Sequence, residues 1–224
     1  MTNPRQLILD WPHAPSFARE DFLSAPLNRD ALAAIDRWPH WAARMLLLVG
    51  PAGAGKSHLA AMWASRSGAL TVSIMNGGDD PDPPASAEAL AIEDADRVGG
   101  AEDKLFHVLE GAISRNAWVL ITARSAPDSW SLKTPDLLSR LRLAPIVRIS
   151  APDEEFMEAV LYKLFSDRQL QVEPPVAAYI AARIQRSIGA ARAFVEMVDR
   201  EALSRGRRVT RTLAGEILRA MEKD

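Results

Sequence analysis

Eight consecutive residues constrain this chain more than any others. Gly50-Pro-Ala-Gly-Ala-Gly-Lys-Ser57 fits the pattern G-x-x-x-x-G-K-[ST] at every fixed position. The octet follows a continuous apolar run ending at Val49 and opens a helix that begins near Lys56. That strand–loop–helix setting is what the motif requires. Gly53 and Gly55 let successive backbone N–H groups wrap phosphate oxygens at the positive end of a helix. Lys56 then reaches the β- and γ-phosphates, and the Ser57 hydroxyl faces Mg²⁺. Pro51, Ala52 and Ala54 complete the loop between these positions.

The rest of the chain repeats the alternation that the loop begins. A helix from Asn28 to Trp38 closes before Pro39, and Arg44 to Val49 reads as a strand buried on both faces. Further apolar runs at Leu70 to Ile74, Ala89 to Ile92, Trp118 to Thr122 and Ile146 to Ile149 read as strands. Helical patterns, among them Glu102 to Ser114, lie between them. This βα rhythm predicts a parallel sheet flanked by helices. From Asp153 onward strand signals vanish. Phe156, Met157, Val160, Leu161, Leu164 and Phe165 trace one helical face, and three more helical segments follow. Pro174 opens the first, Gly189 precedes the second, and the last carries Leu213, Ile217 and Leu218. The expected organisation is an extended tail over 1–15, an α/β nucleotide-binding core over 16–150 and a small all-α domain over 151–224.

Composition narrows the classes. The 224 residues, 48% hydrophobic, suffice for a core domain with an accessory one. A formal net charge of -2 argues against a chain that holds nucleic acid through phosphates alone. The absence of cysteine removes thiolate nucleophiles and disulfides. No apolar run approaches the roughly 20 residues that span a bilayer, and no leader pattern opens the chain, so a cytoplasmic protein is expected.

Ala91-Ile-Glu-Asp94 ends the third strand with two carboxylates. At that place Glu93 would serve Mg²⁺ and Asp94 would polarise an attacking water. Two solvated acids at a strand end are the plain alternative.

These residues together resemble the DnaA family of AAA+ replication initiators and, more closely, the DnaA-related regulators of the Hda type. His58-Leu59 after the phosphate loop is similar to the family's G-K-[ST]-H-L. Ser16-Phe17, Phe22, Asn28 and Ala31 resemble the stretch that seats adenine. The resemblance runs from Ser16 to Met221 and implies an AAA+ core with a helical lid that binds ADP or ATP with Mg²⁺. It sets His58 and Arg192, the lid's sensor 2 arginine in Gly189-Ala-Ala-Arg-Ala-Phe194, beside the loop residues as nucleotide ligands. Thr122-Ala-Arg-Ser-Ala-Pro127 is similar to the sensor 1 strand end but places Arg124 where the family presents a polar or acidic group. That leaves Thr122 or Ser125 as substitutes.

Pro135-Asp-Leu-Leu-Ser-Arg-Leu141 resembles the box whose arginine, here Arg140, reaches a neighbour's γ-phosphate. Gln6-Leu-Ile-Leu-Asp-Trp11 resembles the sliding-clamp-binding peptide of Hda-type proteins, with Gln6, Leu7, Leu9 and Trp11 as its contacts. The chain ends where the initiator's lid ends, without the helix-turn-helix domain that reads origin DNA. Sequence-specific DNA binding is therefore not expected. The resemblance implies DnaA and the β-subunit clamp as partners, self-association as a further one, and negative control of replication initiation near the nucleoid. It also implies weak ATPase activity of the chain's own. The alternatives are a self-sufficient ATPase that loads or remodels a helicase, an interaction module with a vestigial site, and a metabolite kinase. The other arginines, Arg183, Arg186, Arg200, Arg205, Arg207, Arg208 and Arg211, read as solvated charges rather than a DNA groove.

Overall fold

The computed structural model describes residues 17–74, 83–205 and 209–221. Gln6, Leu7, Leu9 and Trp11 lie outside the described residues, as does most of the acidic loop at 77–84. The chain divides into two compact units, one running to Ala151 and the other from Pro152.

The first unit is built on a five-stranded sheet in the order β2-β3-β4-β1-β5, every pair parallel. The strands are β1 (Met45–Val49), β2 (Leu70–Ser73), β3 (Ala89–Glu93), β4 (Trp118–Ala123) and β5 (Ile146–Arg148). The helices of this unit are α1 (Arg29–Asp36), α2 (Lys56–Ser67), α3 (Glu102–Ser114) and α4 (Pro135–Leu141). A strand buried on both faces must be apolar throughout, and β1, Met-Leu-Leu-Leu-Val, is buried at all five positions. Its side chains alternate between two cores. Met45, Leu47 and Val49 join Leu105, Leu109, Leu137 and Leu141 of α3 and α4. Leu46 and Leu48 join Ala31, Ile35, Leu59 and Trp63 of α1 and α2 on the other face. The result is a three-layer α/β/α sandwich with its phosphate loop at the carboxyl end of β1, an interior strand between β4 and β5.

Four tryptophans knit the opposite end. Trp63 is fully buried and stacks on Trp41 with ring centroids 5.4 Å apart, while Trp38 meets it edge-on at 6.3 Å. Trp118, the first residue of β4, closes the group at 5.8 Å from Trp41, with the Arg44 guanidinium 4.2 Å over its ring.

The second unit is all helical: α5 (Glu154–Asp167), α6 (Pro174–Ala181), α7 (Ile188–Arg205) and α8 (Arg211–Met221). Asp153 caps α5 by accepting from the Phe156 N–H at 2.8 Å. Phe156, Met157, Val160, Leu161 and Phe165 of α5 are buried together with Ile180, Phe194, Val198 and Ile217, as the periodicity requires. Leu164 is only half-buried. Gly189 falls inside α7 rather than before it. The reason is Ser187, whose hydroxyl accepts from the Ala190 N–H at 3.1 Å and starts the helix at Ile188, two residues earlier. Among the described residues no helix is long and apolar enough to cross a membrane.

Trp63→Ala removes the centre of the tryptophan group and leaves a cavity the rigid sheet cannot collapse. Urea denaturation should show a loss of about 3–5 kcal/mol.

Candidate functional site

The phosphate loop is fixed by how tightly three strands close around its first residue. The Gly50 N–H donates to the Ala123 carbonyl at 3.1 Å, and the Ile149 N–H donates to Val49 at 2.7 Å. A Cβ on Gly50 would sit 2.7 Å from the Ile149 carbonyl oxygen, so the motif's first glycine is required by backbone approach. Gly53 and Gly55 then take positive φ values of 73° and 97°, which turn the chain into α2.

Inside this turn lies Lys56, buried at 6% exposure. Its ammonium donates to the carbonyls of Gly50 at 2.8 Å and Pro51 at 2.9 Å. Burial lowers its pKa below 10.5, against the pull of Asp94, Asp96 and Glu93, while Arg124 adds to the lowering. Ser57 is exposed at the head of α2. His58, one residue on, is met edge-on by Phe17 at 5.4 Å and Phe22 at 5.2 Å, and its Nε2 is 3.4 Å from the Ala18 carbonyl oxygen. Asn28 is buried and ties this stretch together, accepting from the Ala25 N–H and donating to the Leu23 carbonyl, both at 2.9 Å.

The carboxyl ends of β3 and β4 supply the acidic wall. Glu93 ends β3, and Asp94 takes a left-handed conformation at φ 49°. The buried Thr122 hydroxyl accepts from the Asp94 N–H at 3.0 Å and so holds that turn. Asp94 also lies 3.9 Å from Arg97. Asp96 accepts from the Arg124 N–H at 3.1 Å, joining the β3 and β4 ends a second time. Ser125 accepts from the Ser129 hydroxyl at 2.8 Å. Thr122 thus positions Asp94, and neither Asp96 nor this role of Thr122 carries a signal in the linear motif. Among the described residues no cluster of three His, Asp or Glu side chains is set to hold a metal. Ser57 at the head of α2 and Glu93 at the end of β3 carry oxygens suited to Mg²⁺, as do the adjacent Asp94 and Asp96.

Arg140 belongs elsewhere. It sits near the end of α4, pairs with Glu110 of α3 at 2.9 Å and lies with its guanidinium 5.2 Å over Phe106. Its Nε is buried without a partner, and its side chain is 32% exposed. The start of α4 is fastened to the start of α3 by Glu102, whose carboxylate accepts from the Lys133 and Thr134 N–H groups at 2.9–3.0 Å. Those backbone donors, Lys133 first, pull the Glu102 pKa down. Arg192 lies half-buried on α7 in the helical unit.

The fold and the loop together define the class, a P-loop α/β core of the AAA+ type with a small helical domain. No family model matches the chain. The fold is similar to domain III of the replication initiation protein DnaA from Thermotoga maritima. The TM-score is 0.78 at 18% identity, over 96% of this chain and 100% of that one. It is also similar to AMPPCP-bound DnaA from Aquifex aeolicus, at a TM-score of 0.66 and 14% identity over 85% of this chain and 67% of that one. A mutant of Thermotoga maritima RuvB gives 0.65 at 18% identity, over 88% of this chain and 69% of that one. The chain thus spans about two thirds of the length of these last two. At such identities the likeness establishes architecture, and activity must be argued from this chain's residues.

Two outcomes follow. Lys56→Met should abolish binding of a fluorescent adenine nucleotide while raising the thermal midpoint of the P-loop unit. The sign comes from the lowered pKa: the fold disfavours the charged form, a cost present below the folded pKa that fades as pH rises toward the unfolded value. A lower midpoint would contradict that assignment. For Glu102 the sign is opposite. Its stabilisation is complete above about 4.5, the ordinary value, and is lost as pH falls through the lowered folded value. Hydrogen exchange at Lys133 and Thr134, corrected for intrinsic rate, should accelerate on acidification, and Glu102→Gln should reproduce this at neutral pH.

Proposed function

We propose that this protein is a DnaA-related AAA+ regulator of the Hda type, which shuts off replication initiation by stimulating hydrolysis of DnaA-bound ATP. It holds an adenine nucleotide, ADP or ATP with Mg²⁺, through Gly50, Gly53, Gly55, Lys56 and Ser57, with His58 and its aromatic neighbours beside the base and Arg192 on the lid. It is seated on the sliding clamp through Gln6, Leu7, Leu9 and Trp11. It supplies Arg140 to the γ-phosphate held by DnaA.

The observation that carries this reading is the placement of Arg140. The chain's own Lys56 is held by the carbonyls of Gly50 and Pro51, whereas Arg140 is held by Glu110 and Phe106 on α3. An arginine engaged on α3, on a helix stapled by Glu102, is fitted to act on another molecule's nucleotide. Its planar fork matches charge spreading over phosphoryl oxygens, an effect of about 10³ to 10⁵ in rate where such fingers operate. The likeness to DnaA domain III supports the choice of partner, because related AAA+ surfaces can pack side by side. Within the chain's own site bound nucleotide acts mainly as a structural ligand. Asp94 is one methylene shorter than glutamate and lies 3.9 Å from Arg97, and weak hydrolysis of the chain's own is part of this reading.

The test is hydrolysis of labelled ATP bound to DnaA, with this protein and DNA-loaded clamp. Stimulation should require the clamp and residues 1–11. Arg140→Ala should abolish it while nucleotide and clamp binding persist. DnaA turnover indifferent to this protein, together with DNA-stimulated turnover of its own, would replace this reading with that of a self-sufficient ATPase.

A further inference from the structure

The helical unit carries a charge that the whole-chain balance conceals. Between Arg183 and Arg219 the sequence has nine arginines, no lysine and four carboxylates, although the chain as a whole is net -2. Two of these arginines converge on one ring. Tyr179 of α6 has the Arg183 guanidinium 4.1 Å from its centroid and that of Arg211, the first residue of α8, at 4.5 Å. The Tyr179 hydroxyl lies over Gly215, where a Cβ would come within 3.3 Å. That approach accounts for a glycine in the middle of α8, which otherwise costs about 1 kcal/mol. Arg219, one turn further along α8, donates to the Gly215 carbonyl at 3.0 Å.

Carbonyls and the ring, not carboxylates, hold these side chains. Arg183 donates to the Tyr179 carbonyl at 3.2 Å. Two carboxylates of this unit are engaged with other arginines: Asp199 with Arg168 at 3.6 Å and Glu154 with Arg186 at 3.9 Å. Among the described residues no carboxylate pairs with Arg183, Arg211 or Arg219. Helix stability does not explain the arrangement either, since a cation in the first turn of α8 opposes the helix dipole. Stacking on Tyr179 fixes the planes of two guanidiniums and leaves their N–H edges for an acceptor, and such a fork matches phosphate oxygens.

We propose that Tyr179, Arg183, Arg211 and Arg219 form a sequence-independent docking site for the phosphate backbone of nucleic acid. Two guanidiniums already lie over the ring, at 4.1 and 4.5 Å, so it is engaged by cations rather than offered to bases, and the contact is to phosphates. Duplex is favoured over single strand because its phosphates are twice as dense along the axis. The inference is independent of the role of Arg140.

The test uses the full-length chain and a short fluorescein-labelled oligonucleotide, single-stranded or as duplex, followed by anisotropy over a range of salt concentrations. The wild type should bind duplex more tightly than single strand, with affinity falling steeply with salt. Arg183→Ala with Arg211→Ala should weaken duplex binding about tenfold or more and make the logarithmic salt slope shallower by about 2. Nucleotide binding at Lys56 and the thermal midpoint should be unchanged, since both arginines are exposed. Tyr179→Leu, which keeps every charge, should weaken duplex binding a few-fold without changing the slope. The proposal is overturned if wild type does not bind, if the double variant binds as wild type does, or if polyglutamate of equal charge displaces the protein as readily as unlabelled duplex. The last result would mark the surface as a site for an acidic polypeptide.

Discussion

The close approach of three parallel strands at Gly50 is the constraint on which the rest of the site depends. β1 is flanked by β4 and β5, and their backbones meet so tightly at its carboxyl end that Ile149 leaves no room for a side chain on residue 50. The loop that leaves there must turn sharply, and Gly53 and Gly55 supply the left-handed conformations that let it. The turn carries Lys56 back to the carbonyl of the residue from which the loop departed. Sheet closure, loop shape and the position of the phosphate-facing cation are therefore one arrangement. Its rigidity derives from apolar burial on both faces of β1.

Around that cation the strand ends form a mixed-charge wall. Lys56 faces Glu93, Asp94 and Asp96 as well as Arg124, and burial still prevails in lowering its pKa. A buried ammonium held only by carbonyls and loosely balanced acids is poised for a polyanion, which would neutralise it at close range. Thr122 and Asp96 keep the wall in place. One fixes the Asp94 turn and the other the Arg124 backbone, so two side chains without a catalytic motif set the geometry of those that have one.

A second device of the same kind governs Arg140. Glu102 staples the start of α4 to the start of α3, and Glu110 with Phe106 holds the guanidinium against α3. A partly exposed ion pair of this sort is worth about 1 kcal/mol, and the buried, unpartnered Nε opposes it. The guanidinium is thus oriented by its neighbours on α3 but weakly held there. The helical unit shows how little net charge says about surfaces. A chain with two more acids than bases still carries an arginine face on α6 and α8.

By itself the sequence determined the parts whose cause is local. The phosphate loop was legible because eight contiguous residues carry it. The parallel sheet was legible because strands buried on both faces read as unbroken apolar runs, and the helices of the second unit because their apolar periodicity is 3.6. The end of α1 at Asp36 and the start of α7 at Ile188 were less so, since caps such as Ser187 act over three residues and compete with the pattern. Tertiary structure alone decided the strand order that brings β4 and β5 to either side of β1. It decided the grip of Thr122 on Asp94 and of Asp96 on Arg124, each 28 residues apart in the chain. It also decided that Arg140 rests on Glu110 and that two arginines read as solvated charges share the ring of Tyr179. Contacts like these are made between separate elements, and no periodicity or spacing within one segment encodes which side chain another segment will present.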